Sequence, residues 1–199
     1  MSKSIDYYLS LRSPWAYLGS RRLEEMAARH GAKVAVKPVD FGTIFPQTGG
    51  LPLPKRAPAR QAYRMMELRR WRARLGLPLN LEPAGFAAAE APAARLVIAA
   101  GDSGGDPLRL AHVVLRAVWV EERRIDDDAT LKAIADETGH DGAALVARAE
   151  QPEAAAAYEA LTREALSRGV FGAPTYVYRD ELFWGQDRLD FLDQALGEG

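Results

Sequence analysis

The chain opens on a short apolar run, Ile5 to Leu9, crosses a tight polar turn, and then places Leu18, Leu23, Met26 and Ala27 at helical spacing. A strand feeding a helix produces this pattern, because side chains alternate along a strand but return to one face every three or four residues along a helix. Ser13 stands where the helix should open, with Pro14 in its first turn, and His30-Gly31 stands where it should close. A serine oxygen accepts an orphan helix N–H, proline has no N–H to leave unpaired, and glycine adopts the left-handed C-terminal position at low cost. A second strand is expected from Lys33 to Val39, with Val34 and Val36 on one face. Strand, helix and strand in so few residues predict a parallel βαβ unit.

Beyond this unit the pattern changes. Residues 40–56 hold Gly42, Pro46, Gly49, Gly50, Pro52 and Pro54, and read as a long ordered loop. Residues 59–75 put Met65, Leu68, Trp71 and Leu75 on one helical stripe and Arg64, Arg69, Arg70, Arg72 and Arg74 on the remainder. An extended segment follows over residues 77–83, and the alanine-rich residues 84–100 read as helical after their loop. Gly101-Asp102-Ser103-Gly104-Gly105 is a connector, lacking the lysine and spacing of a phosphate loop. Asp106 and Pro107 open an amphipathic helix carrying Ala111, Val114, Leu115, Val118 and Trp119. Another runs from Asp126–Asp128 through Leu131 and Ile134 to Gly139, a short one starts at Asp141, and the last spans residues 154–168.

The sheet resumes over Ala173-Pro174-Thr175-Tyr176-Val177-Tyr178, turns at Arg179-Asp180 and returns through Leu182-Phe183-Trp184 as an antiparallel hairpin. Gly185-Gln186-Asp187 then begins a final helix whose apolar stripe is Leu189, Leu192 and Leu196. So long a run of helices does not belong to a small sheet and reads as an insertion. The fold class is α/β: a thioredoxin-like domain (βαβ…ββα, residues 1–58 and 169–199) with a large all-helical insertion (residues 59–168).

Composition narrows the chemistry. A chain of 199 residues that is 48% hydrophobic can bury a sizeable core. Its net charge of -1 exerts no global pull toward nucleic acid or membrane, and no aromatic residues interleave the basic face of residues 59–75. Cysteine is absent, so there is no disulfide, no protein thiol nucleophile and no thiolate metal site. Thiol chemistry here has to use a sulfur from another molecule. The three histidines, His30, His112 and His140, share no metal-ligand spacing. Residues 1–6 reach an acidic residue before any apolar run, unlike a signal peptide, and no apolar run approaches spanning length, so a soluble cytoplasmic protein is expected. Trp71, Trp119 and the Met65-Met66 pair are expected in the core.

The helix start at Ser13 has two readings. It is a well-capped helix, or it holds an anion or reactive group where free N–H groups and the helix dipole favour negative charge. Three stretches bear on the choice: Tyr8-Leu9-Ser10-Leu11-Arg12-Ser13-Pro14-Trp15-Ala16-Tyr17-Leu18; residues 63–71 with Leu75-Gly76-Leu77-Pro78; and Gly169 to Thr175 with Phe183 to Leu189. Together, in this order, they resemble the 2-hydroxychromene-2-carboxylate isomerases, which are similar to kappa-class glutathione transferases and share their DsbA-like branch of the thioredoxin fold.

That resemblance implies glutathione as cofactor, with Ser13 hydrogen-bonding its sulfur in the place where redox relatives carry a cysteine. It implies that Ala173-Pro174 is the family's cis-proline site, pairing with the cysteinyl part of glutathione, although a trans proline starting a strand is also allowed. Gln186 and Asp187 match positions that hold the γ-glutamyl end, with Asp187 as a plain helix cap the alternative. For Arg188 the plain reading is an ion pair with Asp187 or Asp190. The family's Gly-Asn pair is replaced by Gly49-Gly50, so that contact is missing or comes from Gln47 or Thr48. Lys55, Arg60 and Phe86 fall near substrate-side positions, either cation suiting a substrate carboxylate. Trp15 and Trp184 flank the implied groove. The implied activity is isomerisation of a small aromatic substrate in aromatic-compound breakdown, by a homodimer. A kappa-like transferase and a non-catalytic DsbA-like binding protein are the alternatives.

Overall fold

The computed structural model describes residues 3–198. Its strands are β1 (Ser4–Leu9), β2 (Lys33–Pro38), β3 (Thr175–Tyr178) and β4 (Glu181–Trp184), in the spatial order β2-β1-β3-β4. Its helices are α1 (Pro14–His30), α2 (Phe41–Thr48), α3 (Pro58–Leu75), α4 (Ala91–Asp102), α5 (Pro107–Trp119), α6 (Asp128–Glu137), α7 (Gly142–Ala149), α8 (Pro152–Ser167) and α9 (Leu189–Gly197). β1 and β2 are parallel, with Ser4 opposite Lys33 and Leu9 opposite Pro38. β3 runs antiparallel to β1, with Thr175 opposite Tyr8, and β4 antiparallel to β3. This is the expected βαβ and ββα arrangement.

Alternation along β1 sorts the core into two layers. Ile5, Tyr7 and Leu9 pack on one side with α1 and α9 residues such as Leu18 and Leu192, whereas Tyr8 packs on the other with Val39, Ile44, Ala165 and Val177. The helical segment does not stand apart from the sheet. Leu96, Leu115, Val118 and Trp119 belong to the same continuous buried cluster as Ile5, Tyr7 and Leu18.

Three expectations are corrected. The Gly- and Pro-rich segment from Asp40 is not all loop, because α2 forms there. Asp40 caps it, its carboxylate accepting from the Gly42 N–H at 2.8 Å and the Thr43 hydroxyl at 2.7 Å, and a cap of this kind offsets poor interior propensity. Residues 84–100 are not one helix: Ala84–Ala87 form a 3-10 turn and α4 starts only at Ala91. The methionine pair is split, Met65 packing against the core while Met66 is exposed, because the turn from one residue to the next carries Met66 off the apolar stripe. Trp119 is 1% exposed, as expected of a core residue, and Trp71 is partly buried against the same cluster.

Candidate active site

The β1–α1 turn is built as a donor site. Ser13 is the N-cap of α1, and its Oγ accepts from the Ala16 N–H at 3.2 Å. The hydroxyl proton itself has no acceptor among the described residues, and neither does the N–H of Trp15; Pro14 between them has none to offer. A hydroxyl donor and a free N–H therefore stand together at the positive end of a 17-residue helix, an arrangement that stabilises an anion or thiolate.

The strand that follows residues 169–172 enters next to this turn. The pairing of Thr175 with Tyr8 sets Pro174 beside the end of β1, from which the turn to Ser13 leaves. The Ala173–Pro174 peptide is cis, and neither the N–H nor the C=O of Ala173 has a hydrogen-bond partner among the described residues. An extended peptide can pair with such an open backbone. Pro174 C=O accepts from Gly185 N–H at 2.9 Å, which ties this entry to the segment carrying Gln186 and Asp187. Gln186 is 2% exposed and lies against α1: a Cβ on Gly19 would come 2.8 Å from the Gln186 Cβ. The Gln186 side-chain oxygen accepts from Arg22 at 3.1 Å, and Arg22 also holds Asp190 at 2.8 Å.

Asp187 is not a helix cap. No side chain caps this turn, Gly185 occupying the position before it at φ 105°. Among the described residues the carboxylate has only Arg188, at 3.5 Å, and it is left accessible for a cation. Arg188 thus pairs with Asp187 and not with Asp190, and its guanidinium lies 5.8 Å from the Phe191 ring centre.

Other sequence-derived positions separate. Phe86 is half-buried, 5.5 Å from the Trp119 ring, and carries the Arg12 guanidinium at 5.8 Å, which links it to the residue before Ser13. Lys55 and Arg60 are exposed and no contact ties either to the Ser13 turn. At Gly50 the Phe45 ring fills the space a side chain would need. Gln47 and Thr48 donate back to Thr43 C=O at 3.1 Å and Ile44 C=O at 3.0 Å. Trp15 packs partly buried against the core, and Trp184 is 52% exposed with Phe171 edge-on at 4.7 Å. A cleft of about 590 Å³ is lined by Leu182, Trp184, Arg188 and Phe191 between β4 and α9, and none of the Ser13 turn lines it.

Sequence reasoning missed Glu90. From the residue before α4 it reaches across to the turn, where it accepts from the Ser10 hydroxyl at 2.8 Å and from the Leu11 N–H, with Arg12 Nε at 3.5 Å. Arg12 in turn donates to the carbonyls of Phe86 and Ala88 at 3.4 and 3.3 Å. Burial pushes the Glu90 carboxyl up to about 7, against the opposing pull of its hydrogen bonds and of Arg12. Its only signal in the sequence is one acid in an alanine-rich run, with partners some 80 positions away. His112 is structural: its Nδ1 lies 2.7 Å from Ser20 Oγ, which donates to Tyr17 C=O, and burial pushes the imidazole down to about 4.

A four-stranded sheet in this order, with a helix N-terminus aimed past a cis-proline, defines the class, and comparison agrees: the chain belongs to the DsbA-like thioredoxin family, whose model matches residues 4–197. Within it, the chain belongs with the 2-hydroxychromene-2-carboxylate isomerases and is an isomerase. It is 31% identical to the enzyme of that name from Sphingobium xenophagum, over 98% of this chain and 99% of the relative. The Pseudomonas putida enzyme is 29% identical over 97% and 94%. A solved structure of 2-hydroxychromene-2-carboxylate isomerase superposes with a TM-score of 0.85 at 27% identity, covering 98% of this chain and 95% of the other. The cytosolic disulfide reductase DsbM of Pseudomonas aeruginosa shares the fold, with a TM-score of 0.70 at 21% identity over 98% and 100%.

Proposed function

We propose that this isomerase is glutathione-dependent, acts on a 2-hydroxychromene-2-carboxylate-type substrate in aromatic-compound breakdown, and uses the glutathione thiolate as a borrowed nucleophile. The observation that carries this reading is the Ser13 hydroxyl proton, without an acceptor among the described residues, beside the free Trp15 N–H at the start of α1, in a chain with no cysteine of its own. The donor set fits the tripeptide: a hydroxyl and helix N–H for the sulfur, the open backbone of Ala173 for the cysteinyl unit, and the accessible Asp187 carboxylate for the γ-glutamyl amine.

When bound, glutathione would supply a thiolate nucleophile for opening the chromene ring and isomerising the former double bond, and it would be regenerated at the end of the cycle. Ser13 donates a hydrogen bond to the sulfur and, with the helix dipole, keeps it deprotonated near neutral pH. Ala173 aligns the tripeptide as an added strand, and Gln186 and Asp187 fix its far end. The test follows interconversion of the chromene and benzalpyruvate forms with and without glutathione while counting free thiol. Turnover that requires glutathione and leaves its concentration constant supports the reading. Turnover independent of glutathione overturns it, and steady loss of thiol identifies a kappa-like transferase instead.

A further inference from the structure

Arg56, Arg60 and Arg64 crowd the approach to and first turns of α3, and among the described residues none has a carboxylate within ion-pair distance. Like charges four apart on one helix face repel, so the arrangement costs stability as it stands. Arg60 is exposed and its charge is hydrated. Arg64 is different: it is partly buried, its guanidinium lies 6.0 Å from the Trp119 ring centre, and its one polar contact among the described residues is the Met65 sulfur at 3.8 Å. Arg56 is also partly buried, held by its Nε donating to Leu51 C=O at 2.8 Å. Trp119 is covered by Phe86, and Phe86 carries Arg12, the neighbour of Ser13. A cation, two rings and a second cation thus run in a row from α3 to Arg12, the residue before Ser13 in the chain.

We propose that Arg64, seconded by Arg56, binds the carboxylate of a planar aromatic acid whose ring lies against Phe86. This assignment rests on the isomerase reading for its substrate class and moves the carboxylate contact from the exposed Lys55 and Arg60 to a desolvated guanidinium, where a charge-assisted hydrogen bond is stronger. Burial and the neighbouring Arg56 push Arg64 down to about 10, so it stays charged at neutral pH yet lacks the counter-ion that would favour its charge. Burial and Arg60 push Arg56 down likewise. The other cation of the row, Arg12, already has Glu90 at 3.5 Å.

The experiment measures binding of trans-2-hydroxycinnamate and of its neutral methyl ester by calorimetry, without glutathione, to wild type, Arg64→Leu, Arg64→Lys and Arg69→Ala. Wild type and Arg69→Ala, which removes an exposed arginine from the same helix, should prefer the acid over the ester. Arg64→Leu should lose about 10- to 100-fold in affinity for the acid and little for the ester. Arg64→Lys should keep part of the preference. The thermal midpoint of Arg64→Leu should stay level or rise, because an unpaired partly buried charge has been removed. An acid preference that survives in Arg64→Leu, or that falls equally in Arg69→Ala, overturns the assignment, as does absence of any acid preference in wild type. Leaving glutathione out separates the two claims: failure here leaves the thiolate proposal standing, and acid binding without glutathione-dependent turnover overturns that proposal alone.

Discussion

Glu90 provides a quantitative handle on the turn that carries Ser13. In the folded chain its carboxyl titrates at about 7 rather than at the ordinary 4.5, because burial disfavours the charge more than Ser10, Leu11 and Arg12 favour it. Between those two pH values the folded protein holds a proton that the unfolded chain has released, so this group's stabilising contribution is complete below pH 4.5 and is lost as pH rises through about 7. The displacement corresponds to about 3 kcal/mol, or roughly 10 °C in thermal midpoint for a chain of this length. Glu90→Gln keeps the shape and a hydrogen-bonding oxygen for the Leu11 N–H while removing the ionisation. The assay is urea unfolding of wild type and Glu90→Gln from pH 4.5 to 8.5, taking the difference at each pH so that all other titrating groups cancel. Glu90→Gln should gain on wild type as pH rises, by about 3 kcal/mol in total. A difference that stays flat, or that moves in wild type's favour with rising pH, refutes the claim that burial dominates at this carboxylate.

Two further outcomes follow from named contacts. Asp187→Asn removes a carboxylate whose only ion-pair partner among the described residues is Arg188 at 3.5 Å, so KM for glutathione should rise about tenfold with kcat little changed; an unchanged KM would remove Asp187 from the γ-glutamyl contact. Leu115 is fully buried in the cluster shared by α5 and the sheet, so Leu115→Ala should cost about 3 kcal/mol and leave one unfolding transition, whether followed by tryptophan fluorescence or far-ultraviolet circular dichroism. Separate transitions by the two probes would mean that the helices and the sheet unfold as separate units.

Much of this fold was legible because local chemistry and tertiary structure agree. Ser13, Pro14 and Gly31 mark the ends of α1 in the sequence and occupy its caps in the structure, and the hairpin turn at Arg179-Asp180 adopts positive φ at both residues. α2 was hidden because Gly42 and Pro46 outweigh its apolar residues by propensity, while its stabilising cap at Asp40 is a single residue in a run of breakers. Within the site, Ser13 and the Ala173-Pro174 entry could be read from local pattern and resemblance. Glu90 could not, nor could the roles proposed for Arg56 and Arg64, since what distinguishes these residues is burial and the side chains that tertiary packing brings to them. Lys55 and Arg60 are exposed, which sets them apart from the partly buried Arg56 and Arg64.

The central claim is that the start of α1 stabilises a thiolate that the chain does not itself possess. Ultraviolet absorbance of the glutathione thiolate, titrated against pH in the presence of excess wild-type or Ser13→Ala protein, measures it directly. On wild type, bound glutathione should ionise well below the ordinary thiol value of about 8.5, and Ser13→Ala should move ionisation back toward that value. Titration curves that coincide for free glutathione, wild type and Ser13→Ala would contradict it.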